Sequence, residues 1–306
     1  MSNAFITLLM GAPHYLYGAI AMAHSLKKTE TKYAIVCMIT PDFHHYKTLL
    51  EIIFDEVVVV PYLKYKTDFL KTKKQNDIYG DWKDVSYTKW QCLSLIKYSK
   101  VCLLDADLII QQNIDHLFDL QAPAGRWGNN WDCTVNYYDN CRHGDIIPNI
   151  FINKGLEMGY LVNGHCVVLE PSAVIYRKFI NFMNSGNYKK LHKCLAMVDE
   201  NALVKFMKQE KKQWTQIAPD YNCVPWKVDL KIGLISHGNN SVLKEPNETQ
   251  SQLATGINNA LILHYFNKKK AWQMTRGEWP DIKIWYNVWD SVCETYPVIT
   301  EKLKKI

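Results

Sequence analysis

Short apolar runs alternate with segments of helical period along the first hundred residues of the chain. The apolar runs have the length and the branched side chains of buried strands. They cover residues 4–9, 33–39, 57–60 and 101–104. Between the first two runs, apolar residues recur on one helical face and predict a helix over residues 14–27. Pro41 is expected to open a second helix that ends near Ile53. Strands that alternate with helices indicate an α/β fold with a mostly parallel central sheet.

The pattern is less regular in the rest of the chain. The polar, Lys-rich residues 64–83 predict a loop over the carboxyl edge of the sheet, and residues 122–158 are expected to be rich in loops. Further elements are predicted as a strand over residues 166–169 and as helices over 86–97, from Ser172, over 199–208 and after Asp281. We therefore predict one domain over residues 1–306, with a C-terminal helical extension over about residues 281–306.

The C-terminal helix carries an unusually apolar and aromatic face. Its members are Ile284, Trp285, Val288, Trp289 and Val292. Such a face packs either on its own domain or across a homodimer interface, and the sequence does not distinguish the two.

The composition is that of an ordinary globular protein. Of the 306 residues, 48% are hydrophobic and 22% are charged, which excludes a disordered or coiled-coil chain. The net charge of +6 suits an anionic small ligand and is too small to argue for nucleic acid. Nine cysteines without a Cys-x-x-Cys pair favour free thiols in a reducing compartment. Residues 4–26 lack the basic start of a signal peptide, and no run reaches ~18 apolar residues, so we expect a cytoplasmic protein without a membrane span.

A pair of aspartates follows the aliphatic residues 101–104 directly. Because open α/β sheets bind ligands at the carboxyl ends of their strands, Asp105 and Asp107 are expected to face a binding site there. Two hard oxygen donors suit Mg²⁺ or Mn²⁺ better than zinc. An isolated pair of this kind is more often a solvated turn after a strand, so the pair alone does not establish a metal site.

Two residues far downstream have properties that suit the same site. His264 follows the aliphatic residues 261–263, and from this strand end a neutral imidazole would complete a metal site with Asp105 and Asp107. The alternative is a hydrogen-bonded structural histidine. Lys270 would stabilise the charge of a diphosphate leaving group, or it would belong to a solvated basic face with the adjacent lysines.

The order of motifs around the two aspartates resembles a known family. The run from Tyr87 to Leu120 contains Leu104-Asp105-Ala106-Asp107 and Asn113-Ile114-Asp115-His116-Leu117-Phe118. It is similar to the central motif block of the glycogenin-like family of retaining nucleotide-sugar glycosyltransferases, family 8, to which galactinol synthases also belong. The resemblance implies a single Rossmann-like nucleotide-sugar-binding domain of the GT-A type.

Further matches follow in the order of the family. The first strand, with Tyr15 and Gly18 after it, resembles the nucleotide-binding turn. Leu161-Val162-Asn163-Gly164 is similar to the donor-sugar segment, with His165 where the family has Gly. Asp199-Glu200 stands where the family has Asp-Gln. His264, Lys270 and Trp272 have the spacing of the closing motif, with Ala271 in place of Pro.

The resemblance assigns a role to each matching position. The implied metal ligands are Asp105, Asp107 and His264. The implied contacts to the nucleotide sugar are Leu8, Tyr15, Asp105, Ala106, Asp107, Asn163, Gly164, Asp199, Glu200, His264, Asn267 and Lys270. The implied catalytic residues are Asp199, Lys270 and Lys89. A place in the core is the alternative for Tyr15 and a surface position for Lys89, while nothing distinguishes Asp132 and Asp139 from ordinary loop acids.

These roles imply a Mn²⁺-dependent retaining glycosyltransferase (Mg²⁺ being the other candidate ion) with UDP-glucose as the favoured donor and UDP-galactose as the second. The acceptor stays open between a sugar, a polyol and a protein tyrosine, and without an acceptor slow hydrolysis of UDP-glucose is expected. Self-glucosylation needs a suitable tyrosine, and residues 220–238 offer only Tyr221. Asp199 either forms a covalent intermediate or orients the sugar.

Two other functions would use the same residues. A nucleotide-sugar-binding protein without turnover is favoured by His165 and Glu200. A Mg²⁺-dependent nucleotidyltransferase or phosphohydrolase would also use Asp105 and Asp107, but it needs a nucleophile or a second acidic cluster, and no suitable pair stands out in the sequence.

Overall fold

The computed structural model describes residues 2–67, 80–127, 141–158, 162–189, 198–222, 260–266, 269–277 and 279–304. Its strands are β1 (Ala4–Leu9), β2 (Ala34–Ile39), β3 (Glu56–Val59), β4 (Val101–Leu104), β5 (Leu108–Ile110), β6 (Ala124–Trp127), β7 (Val162–Leu169), β8 (Thr215–Gln216) and β9 (Ile262–His264). Its α-helices are α1 (Tyr15–Lys28), α2 (Lys47–Leu50), α3 (Asn149–Met158), α4 (Ala173–Asn184), α5 (Val198–Gln209), α6 (Pro280–Thr295) and α7 (Pro297–Leu303). Shorter 3-10 segments cover Pro41–Tyr46, Ser86–Ser94, Asp115–Asp119, Asn187–Lys189, Pro219–Tyr221 and Ala271–Gln273.

The central sheet has the strand order β3-β2-β1-β4-β7-β6-β8. The pairs β3-β2, β2-β1, β1-β4 and β6-β8 are parallel, while β7 is antiparallel to both of its neighbours. The chain leaves β1 towards β2 on one side, and β4 lies on the other side, so the strand order reverses between β1 and β4. A reversal of this kind opens a crevice at the carboxyl ends of the strands, which is where α/β folds bind ligands. The predicted mostly parallel α/β architecture is confirmed.

Both faces of the sheet are covered, as the aliphatic strands predict. Along β1, Phe5 and Leu9 pack towards α1, and Ile6 packs on the opposite face with Trp90 and Trp214. All five side chains are fully buried. The side chains of β1 therefore alternate between two cores, and the strand holds its carboxyl end rigidly at the crevice.

A separate two-stranded sheet joins distant parts of the chain. Strands β5 and β9 are antiparallel, with Leu108 opposite His264 and Ile110 opposite Ile262. Because Asp107 immediately precedes Leu108, this register brings His264 beside the aspartate turn. The arrangement confirms a strand end at His264, although β9 pairs with β5 instead of extending the central sheet.

Helix α6 packs on the body of the same chain. Trp285 and Val292 are buried there, and the ring of Trp289 lies 5.1 Å from that of Tyr17 on α1. Part of the apolar face of this helix therefore packs against its own domain. None of the described helices is both long and apolar enough to cross a bilayer.

Several predicted boundaries differ from the structure. Residues 122–158 were expected to be rich in loops, yet they contain β6 and α3. Strand β6 has only four residues and no clear alternation; it is held by backbone pairing between β7 and β8. The predicted helix over 86–97 is a 3-10 segment that ends at Ser94, and the helix opened by Pro41 ends at Leu50. Parts of two predicted loop regions, residues 68–79 and 128–140 with Asp132 and Asp139, lie outside the described residues.

Candidate active site

The aspartate turn lies at the crevice between β1 and β4. The backbone N–H of Asp105 donates to the carbonyl of His165 at 3.0 Å, and the carbonyl of Asp107 accepts from the N–H of Tyr265 at 2.9 Å. One ligand atom from each of Asp105, Asp107 and His264 lies within 4.8 Å of the others. The structure therefore brings together the three residues that the sequence analysis selected as metal ligands.

A glycine allows helix α1 to approach this turn. A Cβ atom on Gly18 would lie 2.5 Å from the carbonyl oxygen of Ala106 and 2.5 Å from the ring of Trp272. Both distances are far below van der Waals contact, and the first neighbour is backbone that cannot move aside cheaply. Gly18 is therefore required for the aspartate turn, α1 and the segment after β9 to meet.

The imidazole of His264 is oriented by Asn222. Its Nδ1 lies 2.8 Å from Asn222 Oδ1, and this oxygen only accepts, so Nδ1 carries the proton. In the neutral ring, the lone pair of Nε2 then faces Asp107 Oδ1 at 3.4 Å. The Nε2 lone pair and the carboxylate oxygen are both electron-pair donors, so a cation would fit between them. Together with the nearby carboxylate of Asp105, these ligands are compatible with Mn²⁺ or Mg²⁺.

Lys270 is buried and paired with Asp107. Its Nζ lies 2.6 Å from Asp107 Oδ2 and 3.2 Å from the carbonyl of Tyr265, whereas the adjacent Lys269 is exposed. Burial acts to lower the pKa of Lys270, but the Asp107 charge outweighs it and raises the pKa. Burial acts to raise the pKa of Asp107, but the charge of Lys270 outweighs it and holds that pKa well below its ordinary value. The pair is therefore ionised at neutral pH, and Lys270 is not part of a solvated face.

Lys89 lies among three carboxyl groups. Its Nζ is 3.6 Å from Asp105 Oδ1, 3.4 Å from Asp199 Oδ2 and 3.8 Å from Glu200 Oε1. Burial acts to lower the pKa of Lys89, and the neighbouring carboxylates outweigh it, so the net pKa is raised and the ammonium group stays charged. Lys89 therefore connects the aspartate turn to the start of α5, and the alternative of a surface position is wrong.

Glu200 and Gly164 face each other across the site. A Cβ atom on Gly164 would lie 2.5 Å from Glu200 Oε1, so the glycine makes room for the carboxyl group. Glu200 Oε2 is buried without a hydrogen-bond partner among the described residues. Burial raises the pKa of Glu200 well above its ordinary value, and the neighbouring Asp199 raises it further. Glu200 is therefore poised to hold a proton at a pH where an exposed glutamate would be ionised.

This shift predicts that Glu200→Gln stabilises the protein increasingly as the pH rises. The folded state binds the Glu200 proton more tightly than the unfolded state, so its stabilising contribution is complete below the unfolded pKa and is lost as the pH rises through the folded pKa. Glutamine has no such loss. We expect the difference in unfolding free energy, measured by urea denaturation, to grow by about 1.4 kcal/mol per unit of pKa shift as the pH rises above the ordinary pKa of a glutamate. Exposed Glu51→Gln is the control, and a difference for Glu200→Gln that does not change with pH would contradict this assignment.

Residues from the first βα turn line one side of the crevice, where the sequence analysis predicts the nucleotide. Leu8 and Tyr15 are half-buried, and the ring centroid of Tyr15 lies 5.5 Å from Lys270 Nζ and 5.6 Å from the Trp272 ring. Tyr15 also packs against the core, and its contact with the nucleotide stays a prediction. Ala106 is buried within the turn, and Asn163 is half-buried on β7. Asn267, the remaining predicted contact, lies outside the described residues.

Two residues near the site were not selected from the sequence. One is Asn222, whose bond to His264 depends on a contact between residues 42 positions apart. His14 accepts a hydrogen bond from Trp272 Nε1 at 3.1 Å. Neither contact follows from periodicity or spacing, because each one joins segments that only the fold brings together.

The family model described as Glycosyl transferase family 8 matches residues 7–142 of the chain. The uncharacterized protein R707 of Acanthamoeba polyphaga mimivirus is 28% identical over 286 residues, which cover 90% of this chain and 85% of that protein. Galactinol synthase 3 of Arabidopsis thaliana is 32% identical over 135 residues, 43% of this chain and 37% of the plant protein. Human glycogenin-1 is 34% identical over 141 residues, 44% of this chain and 39% of the human protein. The chain thus matches about two fifths of the length of these two enzymes.

Among solved structures, the galactosyltransferase LgtC in complex with donor and acceptor sugar analogues is similar over 95% of this chain and 96% of its own. The TM-score is 0.51 and the sequence identity 12%, so this similarity concerns the fold alone, and it agrees with the predicted GT-A architecture. Taken with the motifs, the family match over residues 7–142 and these relatives support a glycogenin-like glycosyltransferase of family 8.

Proposed function

We propose that the chain is a Mn²⁺-dependent retaining transferase that takes a hexosyl group from a UDP-hexose, with UDP-glucose preferred and UDP-galactose second. The proposal depends on one observation: Asp105, Asp107 and His264 lie close together at the β1-β4 crevice. Lys270 donates a hydrogen bond to Asp107 at the same place. The names of the relatives, glycogenin and galactinol synthase, support a sugar donor of this class.

The proposed chemistry begins with the departure of the diphosphate. Mn²⁺ held by Asp105, Asp107 and His264 would supply a Lewis acid for the diphosphate oxygens, and Mg²⁺ is the alternative ion. Lys270 lies on the other oxygen of Asp107 and brings a permanent positive charge to the same edge. Its ammonium group would stabilise the negative charge that grows as the glycosidic bond breaks.

The sugar would occupy the space between the aspartate turn and the start of α5. Gly164 on β7 lies on one side of this space, and Asp199 and Glu200 lie on the other. A protonated Glu200 can donate a hydrogen bond to a sugar hydroxyl, whereas Asp199 would orient the sugar or act as a nucleophile. Lys89 neutralises the carboxylates, so the buried acids do not repel the donor.

The acceptor belongs to a separate molecule in this proposal. Tyr221, the tyrosine considered for self-glucosylation, is buried, and its hydroxyl hydrogen-bonds His116. Burial raises the pKa of Tyr221 to about 12, which makes it a poor nucleophile. The acceptor is therefore proposed to be a sugar or a polyol. A reducing compartment such as the cytoplasm is proposed from the described cysteines, which are free thiols.

Release of UDP tests the proposed function. The protein is incubated with UDP-glucose or UDP-galactose and Mn²⁺, first alone and then with a panel of monosaccharides and polyols. We expect slow release of UDP without an acceptor, faster release with the right acceptor, and a stop when EDTA removes the metal. Measurable binding of UDP-hexoses without release of UDP from any of them would overturn the transferase proposal in favour of a binding protein.

A further inference from the structure

His264 is held on two sides by residues that do not touch the crevice side of its ring. Asn222 Oδ1 accepts the Nδ1–H at 2.8 Å. His165 lies against its face, with the ring centroids 5.1 Å apart and the planes inclined by 23°. The three side chains are buried, at 7% exposure for His264, 2% for Asn222 and 1% for His165. One contact fixes which nitrogen carries the proton, and the other restrains the tilt of the ring.

These two contacts are themselves connected. The Nε2–H of His165 donates to the backbone carbonyl of Tyr221 at 3.0 Å. Tyr221 directly precedes Asn222, so His165 anchors the backbone that supplies the partner of His264. Two hydrogen bonds and one ring contact thus connect His165, the segment Tyr221-Asn222 and His264 in a closed loop.

The position of His165 on β7 explains why it can take this role. Successive side chains of a strand point to opposite faces. Gly164 faces Glu200, while His165 faces His264. His165, which departs from the family pattern, therefore packs against the face of His264. It does not lie next to Glu200, which is on the side of the site proposed for the sugar.

We propose that Asn222 and His165 are positioning residues that hold the Nε2 lone pair of His264 towards the metal site. This inference rests on the proposed function for the identity of the metal, but the orientation of His264 does not depend on it. Metal-binding histidines gain affinity when a partner on the second nitrogen fixes the tautomer, and loss of such a partner weakens metal binding by about 10- to 100-fold.

Mn²⁺ affinity of variants tests the role of Asn222. The loss of the free-Mn²⁺ EPR signal on titration of the protein gives the dissociation constant without nucleotide and without turnover. Asn222→Leu removes the acceptor and is expected to weaken binding by about 10- to 100-fold. Asn222→Asp keeps an acceptor and is expected to retain most of the affinity. The matched control is Asn184→Leu, because Asn184 also accepts a hydrogen bond, from Tyr65, but lies exposed at the end of α4.

The same titration separates the two contributions of His165. His165→Phe keeps an aromatic ring on His264 but loses the N–H to Tyr221, so it is expected to fall between the wild type and His165→Gly. Unchanged Mn²⁺ affinity in both Asn222→Leu and His165→Gly, with the fold intact by circular dichroism, would overturn the proposal.

The tautomer of His264 gives a readout that needs no metal. Long-range ¹H–¹⁵N NMR of the metal-free protein, with the His264 signals assigned from their absence in His264→Gln, shows which ring nitrogen carries the proton. We expect the Nδ1–H form in the wild type and a mixture in Asn222→Leu. An Nε2–H form in the wild type would overturn the proposal. If the wild type has the Nδ1–H form but binds no Mn²⁺ with or without UDP, the proposed metal function fails while the positioning of His264 is supported.

Discussion

Asp107→Asn is expected to reduce the turnover of UDP-hexose by about 10³-fold or more. Asp107 contacts two groups at once: its Oδ1 faces His264 Nε2, and its Oδ2 accepts a hydrogen bond from Lys270. The amide keeps the shape of the side chain but loses the charge that both the proposed metal and Lys270 need. The measurement is the initial rate of UDP release at saturating Mn²⁺, together with the Mn²⁺ dissociation constant of the variant, which is expected to rise.

The matched control for this variant is Asp290→Asn. Asp290 is paired with Arg276 on the exposed surface of α6, where an ion pair contributes about 1 kcal/mol or less. We expect this control to keep the wild-type rate. An Asp107→Asn protein that releases UDP at the wild-type rate with the same Mn²⁺ requirement would exclude Asp107 from the metal site.

Lys270→Met is expected to lower kcat by about 10²- to 10³-fold, with a much smaller change in KM. The charge on the diphosphate grows mainly in the transition state, so the loss of the ammonium group should affect the rate more than donor binding. Methionine fills most of the space of the lysine stem. It leaves the Asp107 carboxylate buried without its cation, however, and so circular dichroism must show that the variant is folded.

Two further variants separate charge from position at this site. Lys270→Arg keeps the charge but changes the shape of the cation, and we expect it to retain more activity than Lys270→Met. Lys269→Met alters the exposed neighbour and is expected to behave like the wild type. A rise in KM with an unchanged kcat for Lys270→Met would mean that Lys270 only binds the donor and does not stabilise the leaving group.

The elements that border the crevice were predictable because their local patterns are strong. The predicted bounds of β1 and β4 agree with the structure at both ends, and the aspartate pair is found where the aliphatic strand predicts it. His264 was placed at a strand end by the same argument, supported by the family resemblance. Its distance from Asp107 follows from the β5-β9 register, which no local pattern contains.

The remaining features depend on contacts between distant segments. β6 is stabilised by backbone pairing with β7 and β8, so the sequence of its four residues does not predict a strand. The close approaches at Gly18 and Gly164 are visible only when the neighbouring segments are in place. The sequence did not decide between a surface position and a site position for Lys89, because its three carboxyl neighbours come from two segments that only the fold brings together.

The position of the bound metal tests the proposed site of Asp105, Asp107 and His264 most directly. Crystals grown with Mn²⁺ and UDP, measured with X-rays near the manganese absorption edge, give an anomalous difference map that locates the ion independently of the protein atoms. We expect one strong peak between the carboxylates of Asp105 and Asp107 and the Nε2 of His264, in contact with the diphosphate. Bound UDP with the peak elsewhere, or with His264 turned away from it, would show that these three residues do not form the metal site.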